Sequence, residues 1–200
     1  MELSKIWVKN LEKMEAKKQI RKELLAKRNA LSKNDVTALS EQISIHLQQF
    51  LDTQSNLQIH GVYGYYPRSN EVSLMLLYTW LLEKKIPLAF PRVLGNTMEF
   101  YQVNSMEDFK EGAFHIFEPK ETCIRADLEK AFCLVPGSVF DWNGNRYGYG
   151  KGYYDKYFSI HRELKRIGIA YDLQIKEAIP TEKTDIQMQL LATENGLVFI

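Results

Sequence analysis

The stretch from Gly144 to Asp155, Gly-Asn-Arg-Tyr-Gly-Tyr-Gly-Lys-Gly-Tyr-Tyr-Asp, is the part of the chain best equipped for chemistry. Five of the eleven glycines (Gly137, Gly144, Gly148, Gly150 and Gly152) fall within sixteen residues, with Arg146 and Lys151 among them. Glycine lets backbone N–H groups come close to an anion and supplies positive φ angles. A helix starting just beyond would add oriented donors and partial positive charge. With two cations in the same place, this makes a cradle for a polyphosphate. The spacing is not that of a Walker A loop, which needs Gly where Asn145 stands and Ser or Thr where Gly152 stands; nor is it the GxGxxG dinucleotide turn. A plain Gly/Asn turn joining strand to helix is the competing reading, and the interleaved cations and tyrosines favour anion binding over it. Asp155, just past the cradle, suits Mg²⁺ held against phosphates as well as it suits the first turn of a helix. There is no Ser–His–Asp or Cys–His constellation. Cys123 and Cys133 have neither CxxC spacing nor a nearby histidine pair, so reduced thiols are a better reading than a metal site.

The elements that must position this stretch can be read around it. Leu11–Leu31 is rich in Lys, Glu, Leu, Ala and Arg without Gly or Pro, which predicts a helix. On it Ile20, Leu24 and Leu31 share one side, and Lys17, Arg21 and Arg28 another. A second helix starts at the capping residues Ser32–Asp35 and runs to about Leu51. Gln58–Tyr66 reads as a strand stopped by Pro67, Ser73–Lys85 as a helix, and Ile86–Val93 and Thr97–Val103 as strands. Asn104 to about Asp127 reads as loop. Ala131–Val135 is a buried strand, Tyr153–His161 a helix, Arg166–Asp172 a strand, and Gln189–Thr193 and Leu197–Ile200 are short final strands. Strands alternating with helices predict a parallel or mostly parallel sheet covered on both faces, with ligands beyond the carboxyl ends of its strands.

Composition narrows the class. Two hundred residues of 23.3 kDa fit one domain, taken as residues 1–200 with 1–15 as an N-terminal extension. Apolar residues at 45% and charged residues at 26% are ordinary for a globular chain. Lys plus Arg (26) against Asp plus Glu (25) leaves +1, so no overall field gathers nucleic acid or an anionic membrane. The longest apolar stretch, Leu74–Leu82, is too short to span a bilayer, and the first thirty residues lack a signal core. The expectation is a cytoplasmic monomer whose partners are small molecules, with neither nucleic acid nor membrane among them.

The run Pro136-Gly-Ser-Val-Phe-Asp141, continued by the Gly-rich stretch, resembles the signature of the 5-formyltetrahydrofolate cyclo-ligase family, also called methenyltetrahydrofolate synthetases. Weaker matches follow in family order from Ala16 to Glu194: Ala16–Arg21 with Leu24, Arg28 and Leu31; Tyr65-Tyr66-Pro67 with Asn70-Glu71-Val72; Phe90–Val93; Ile179–Asp185; and Thr193-Glu194. Ser73-Leu74 and Tyr147 depart from the usual pattern. The resemblance implies a three-layer, Rossmann-like α/β fold and an ATP- and Mg²⁺-dependent cyclisation of 5-formyltetrahydrofolate to 5,10-methenyltetrahydrofolate. Such chemistry needs alignment and charge stabilisation rather than a protein nucleophile.

By position the resemblance assigns ATP contacts to Lys17 and Arg21 and to the loop Arg146, Tyr147, Gly148, Tyr149, Gly150, Lys151, Gly152, Tyr153 and Tyr154. Lys151 and Arg146 would act on the transferred phosphoryl group. It assigns folate contacts to Tyr66, Glu71 and Tyr149–Tyr153, and the metal to Asp155 and Asp185. Without the resemblance, Lys17 and Arg21 read as a solvated charged face and Asp185 as a surface acid, while Tyr66 is equally a core aromatic and Glu71 equally a loop acid. Two other classes compete: a regulatory nucleotide-binding module, and an isomerase or coenzyme A transferase of similar architecture.

Overall fold

The computed structural model describes residues 2–54, 61–112, 116–182 and 184–200. The first helix, α1 (Glu2–Asn29), begins well before Leu11, so residues 2–15 of the stretch read as an extension belong to the same helix. No Gly or Pro interrupts it, and nothing local tells such a run where to stop. Its predicted apolar and basic sides prove to be one inward-facing side. Leu24 and Arg28 are both buried, while Lys17 and Arg21 lie over the ring of Tyr147. α2 (Lys33–Gln54) starts at a reciprocal cap in which Ser32 Oγ accepts from the Asp35 N–H and Asp35 Oδ2 accepts from the Ser32 N–H.

The sheet begins with β1 (Val62–Tyr63). Of the strand expected over 58–66, residues 58–60 lie outside the described residues, and among the rest only Val62 and Tyr63 pair in the sheet. α3 (Met75–Glu83), β2 (Leu88–Leu94) and β3 (Thr97–Val103) follow. The presumed loop after Asn104 contains a two-stranded hairpin, β4 (Phe109–Glu111) and β5 (Phe117–Pro119). Arg92 on β2 anchors it, donating Nε and Nη2 to the Pro119 carbonyl at 3.0 and 2.7 Å while stacking 3.8 Å from the Tyr101 ring. β6 (Phe132–Pro136) leads to β7 (Val139–Asp141) and β8 (Arg146–Tyr147), a pairing hidden from sequence by its glycines. α4 (Tyr153–Ile160), β9 (Lys165–Ile169), β10 (Ile175–Lys176), β11 (Leu190–Thr193) and β12 (Gly196–Phe199) complete the chain.

Seven strands form the main sheet in the order β12-β11-β9-β6-β1-β2-β3. The inner five run parallel, and antiparallel β3 and β12 close the two edges. Side chains alternate between two cores, as strands covered on both faces require. Val62, Leu88, Leu134 and Ala192 pack under α2 and α3. Tyr63, Ala89, Cys133, Val135 and Leu191 pack under α4 together with Phe140 of β7. This is the three-layer α/β arrangement. A small sheet, β10-β7-β8, sits beside it and meets α1 through Leu24, Val139, Tyr147 and Ile179. Numbered among the parallel strands alone, the order is 2-1-3-4-5, which reverses between β1 and β6. Ligands of such sheets bind at that reversal, beyond the strand ends. Among the described residues no helix is long and apolar enough to cross a membrane.

Candidate active site

Past the carboxyl ends of β1 and β6 the chain opens a cleft of about 1570 Å³, lined by Tyr65 and Tyr66 from one strand end and Pro136 from the other. A single drug-sized ligand needs roughly 300–1,000 Å³, so there is room for two. The cleft gathers nearly every residue singled out above: Lys17, Arg21, Tyr66, Glu71, the whole run Arg146–Asp155, and Asp185.

The loop wall is built on Arg146. It is 8% exposed, donates Nη1 to the Pro136 carbonyl at 3.3 Å, and pairs through Nη2 with Asp155 Oδ2 at 3.2 Å. Gly148 makes room for it, since a Cβ there would lie 2.7 Å from Arg146 Nη1 and displace the guanidinium. Gly152 takes φ +66 as the residue preceding α4, a left-handed conformation that costs other residues roughly 1–2 kcal/mol. The loop therefore turns directly into a helix N-terminus. Lys151 is exposed and makes no hydrogen bond or ion pair among the described residues, leaving its ammonium free for an anion. Tyr147 and Tyr154 are structural parts of the wall. The Tyr147 hydroxyl donates to the Pro180 carbonyl at 2.7 Å, and burial with the nearby Asp185 charge pushes it up to about 12. The Tyr154 ring lies beneath the Arg146 guanidinium at 5.4 Å.

Lys17 is largely engaged. Its ammonium meets Glu182 Oε1 at 2.6 Å and Asp185 Oδ2 at 3.3 Å. Asp185 also accepts from the Glu182 N–H at 2.7 Å. Asp155 Oδ1 accepts from the Ile186 N–H at 3.4 Å, so the two carboxylates predicted to share a metal sit on neighbouring stretches of one wall. Among the described residues no three His, Cys, Asp or Glu side chains gather around a point. Two carboxylates beside a phosphate cradle do fit Mg²⁺, which takes one or two carboxylates and fills the rest of its shell with water and phosphate oxygens.

The opposite wall is aromatic and carries one buried acid. Tyr66 packs against Phe109 and Phe117 at centroid distances of 5.4 and 5.0 Å, an edge suited to a flat heterocycle. Glu71 is 6% exposed. Its Oε2 accepts from the Arg68 N–H at 2.8 Å, and its Oε1 accepts from the Tyr149 hydroxyl. Burial raises the Glu71 carboxyl above its ordinary range, while Tyr149, the Arg68 N–H and the Arg28 and Arg68 charges pull it back down. Arg28 and the hairpin aromatics are the site residues that sequence reasoning missed. In the sequence Arg28 reads as one cation on a helix face and as part of the opening-helix match, with no role assigned to it, and three-residue strands leave no periodicity to find.

The family model for the 5-formyltetrahydrofolate cyclo-ligase family matches residues 13–194. A 5-formyltetrahydrofolate cyclo-ligase of Mycoplasma genitalium is 30% identical over 88% of this chain and 96% of its own length. Its namesake from Mycoplasma pneumoniae is 29% identical over 89% and 98%. Among solved structures, the 5,10-methenyltetrahydrofolate synthetase of Aquifex aeolicus superposes with a TM-score of 0.78 at 34% identity, covering 92% of each chain. The Mycoplasma pneumoniae synthetase gives 0.73 at 26% identity, over 89% of this chain and 98% of that one.

Proposed function

The chain belongs to the 5-formyltetrahydrofolate cyclo-ligase family, and from that premise we propose that it converts 5-formyltetrahydrofolate and ATP to 5,10-methenyltetrahydrofolate, ADP and phosphate. The observation that carries the reading is one cleft with two unlike walls. One is a cationic glycine loop running into a helix; the other is an aromatic edge ending in a buried carboxylate. The formyl group on N5 is an amide and a poor electrophile. Transfer of the γ-phosphoryl group to its oxygen, with ADP departing, gives an iminium-like carbon that N10 attacks, losing its proton. Expulsion of phosphate then leaves the methenyl bridge.

Each residue has a task that requires no covalent bond to the protein. The Glu71 carboxylate can accept two hydrogen bonds from an aminopyrimidine edge, and Tyr66 with Phe117 flanks the ring. Gly148–Gly152 wraps the triphosphate with backbone N–H groups. Lys151 and Arg146 meet charge that builds on the moving phosphoryl group, which is where fixed cations are worth most. Lys17 and Arg21 reach the same region from α1, with Lys17 also bracing the closing loop. Asp155 and Asp185 would hold Mg²⁺, which neutralises phosphate charge when bound.

The test is purified protein with ATP and Mg²⁺, with and without 5-formyltetrahydrofolate, following ADP and methenyl absorbance together. One ADP per methenyl group is expected. ATP binding without turnover would point instead to a regulatory nucleotide module, and failure to bind ATP would remove the phosphate-loop reading.

A further inference from the structure

Two arginines among the described residues are buried to less than a tenth exposure, Arg146 and Arg28. The first has its task in the phosphate wall; the second has none in the function proposed above. Arg28 is 4% exposed on the inner side of α1. Its Nη1 donates to the Tyr149 hydroxyl at 2.7 Å and lies 3.9 Å from Glu71 Oε1, and its guanidinium sits 5.9 Å from the centre of the Tyr149 ring. Its Nε is buried with no partner. A buried cation with a donor left unsatisfied is a poor way to stabilise a fold, because desolvation offsets most of what pairing returns. Its surroundings give the better account. The Tyr149 hydroxyl accepts from Arg28 and donates to Glu71, so a single chain of contacts runs from α1 through the glycine loop to the carboxylate on the aromatic wall.

We propose that Arg28 is a positioning residue for the folate pocket, fixing the Glu71 side chain through Tyr149 and so joining the folate wall to the nucleotide loop. This rests on the reading of Glu71 as the acceptor for the folate ring. The charges and titratable groups facing Glu71 are Arg28 on α1, Arg68 on its own loop and Tyr149 on the glycine loop. The buried tyrosines Tyr65, Tyr78, Tyr154 and Tyr171 also feel its charge. All four tyrosines are held above their ordinary values, chiefly by burial, and are neutral across the working range. After the hydrogen bonds from Tyr149 and the Arg68 N–H, Arg28 and Arg68 are the cations that oppose the effect of burial on Glu71, and Arg28 is the buried one.

The experiment is the pH dependence of kcat and of KM for 5-formyltetrahydrofolate and for ATP, in the parent, Arg28→Gln, Arg28→Lys, Glu71→Gln and the Arg28→Gln/Glu71→Gln pair. Arg28→Gln is expected to raise the folate KM by roughly tenfold, with a smaller change in kcat and in the ATP KM. The acid limb of kcat/KM for folate should move to higher pH by about 1. Arg28→Lys should keep that limb where the parent has it while raising the folate KM a few-fold. In the Glu71→Gln background, Arg28→Gln should add little, since residues acting through one another are not additive. A parent that makes no methenyl product overturns the functional reading and this inference with it. An active parent whose Arg28→Gln variant keeps the folate KM and acid limb overturns the inference alone, as do fully additive losses in the pair. If Arg28→Gln does not fold, Arg28→Lys decides. In Arg28→Lys, an acid limb displaced from the parent's, or equal damage to the folate and ATP KM values, would overturn the inference.

Discussion

At the scale of single residues, two charges on facing walls separate binding from chemistry. Lys151 makes no hydrogen bond or ion pair among the described residues, and in the proposed function its ammonium serves what the loop wraps. Lys151→Ala is expected to lower kcat roughly 100-fold or more, as loss of a donor aimed at developing charge does, while leaving folate affinity nearly unchanged; steady-state kinetics with each substrate varied would check this. Asp155→Asn takes a charge from the proposed metal pair and from Arg146, and should move the Mg²⁺ titration of activity to higher concentration. Glu71 supplies a test through stability. Its carboxyl has a higher value in the folded chain than the ordinary 4.5, so folding favours the protonated form. That contribution is complete below the unfolded value and is lost as pH rises through the folded one. The melting temperature of the parent relative to Glu71→Gln should therefore fall as pH climbs from about 4.5, then level off; a constant difference would show that burial does not disfavour the charged form. Arg28 marks where residue-by-residue reading stopped. Periodicity tells which side chains share a side of a helix, but a cation on that side is read as solvated unless something shows the side to be covered.

At the scale of elements, the loop bearing Glu71 is fastened to the end of α1. Asn70 Nδ2 lies 3.4, 3.4 and 3.1 Å from the carbonyls of Arg28, Asn29 and Leu31, at and just beyond the end of the helix, where carbonyls lack the full set of internal partners. Asn70→Ala is expected to cost about 1 kcal/mol, roughly 2–4 °C in melting temperature for a chain of this size, and to raise the folate KM because Glu71 is the next residue. Thermal melts alongside folate titrations would separate the two effects. Most elements were legible because each carried its own pattern. β2 is a β-rich run, β6 is a continuous apolar run, and Ser32 with Asp35 announces α2. The hairpin of β4 and β5 was not legible, since its strands owe their place to Arg92 and Tyr66, both distant in sequence. The pairing of β7 with β8 was concealed by the glycines that serve the loop.

At the scale of the whole molecule, the parallel sheet followed from alternation of strands and helices, whereas the strand order that locates the cleft did not. No local signal says that the chain crosses from β2 back past β1 to β6, since that is decided by burying both faces at once. The glycine loop was legible because its backbone demands and its ligand's demands select the same residues. The inward side of α1 has a consequence at this scale. Lys17, Arg21 and Arg28 are spaced by four and seven residues, so at about 100° per residue they return within roughly 40° of one another, and about 16 Å of axis separates the first from the last. The helix is thus a caliper laid across the cleft, its jaws set by rotational phase as much as by length. One alanine inserted after Lys22 should leave the helix intact by circular dichroism but swing Leu24 and Arg28 through about 100°, abolishing activity and lowering the melting temperature. Seven inserted residues restore the phase, so stability should largely return; the jaws would then stand about 10 Å too wide, and turnover should not.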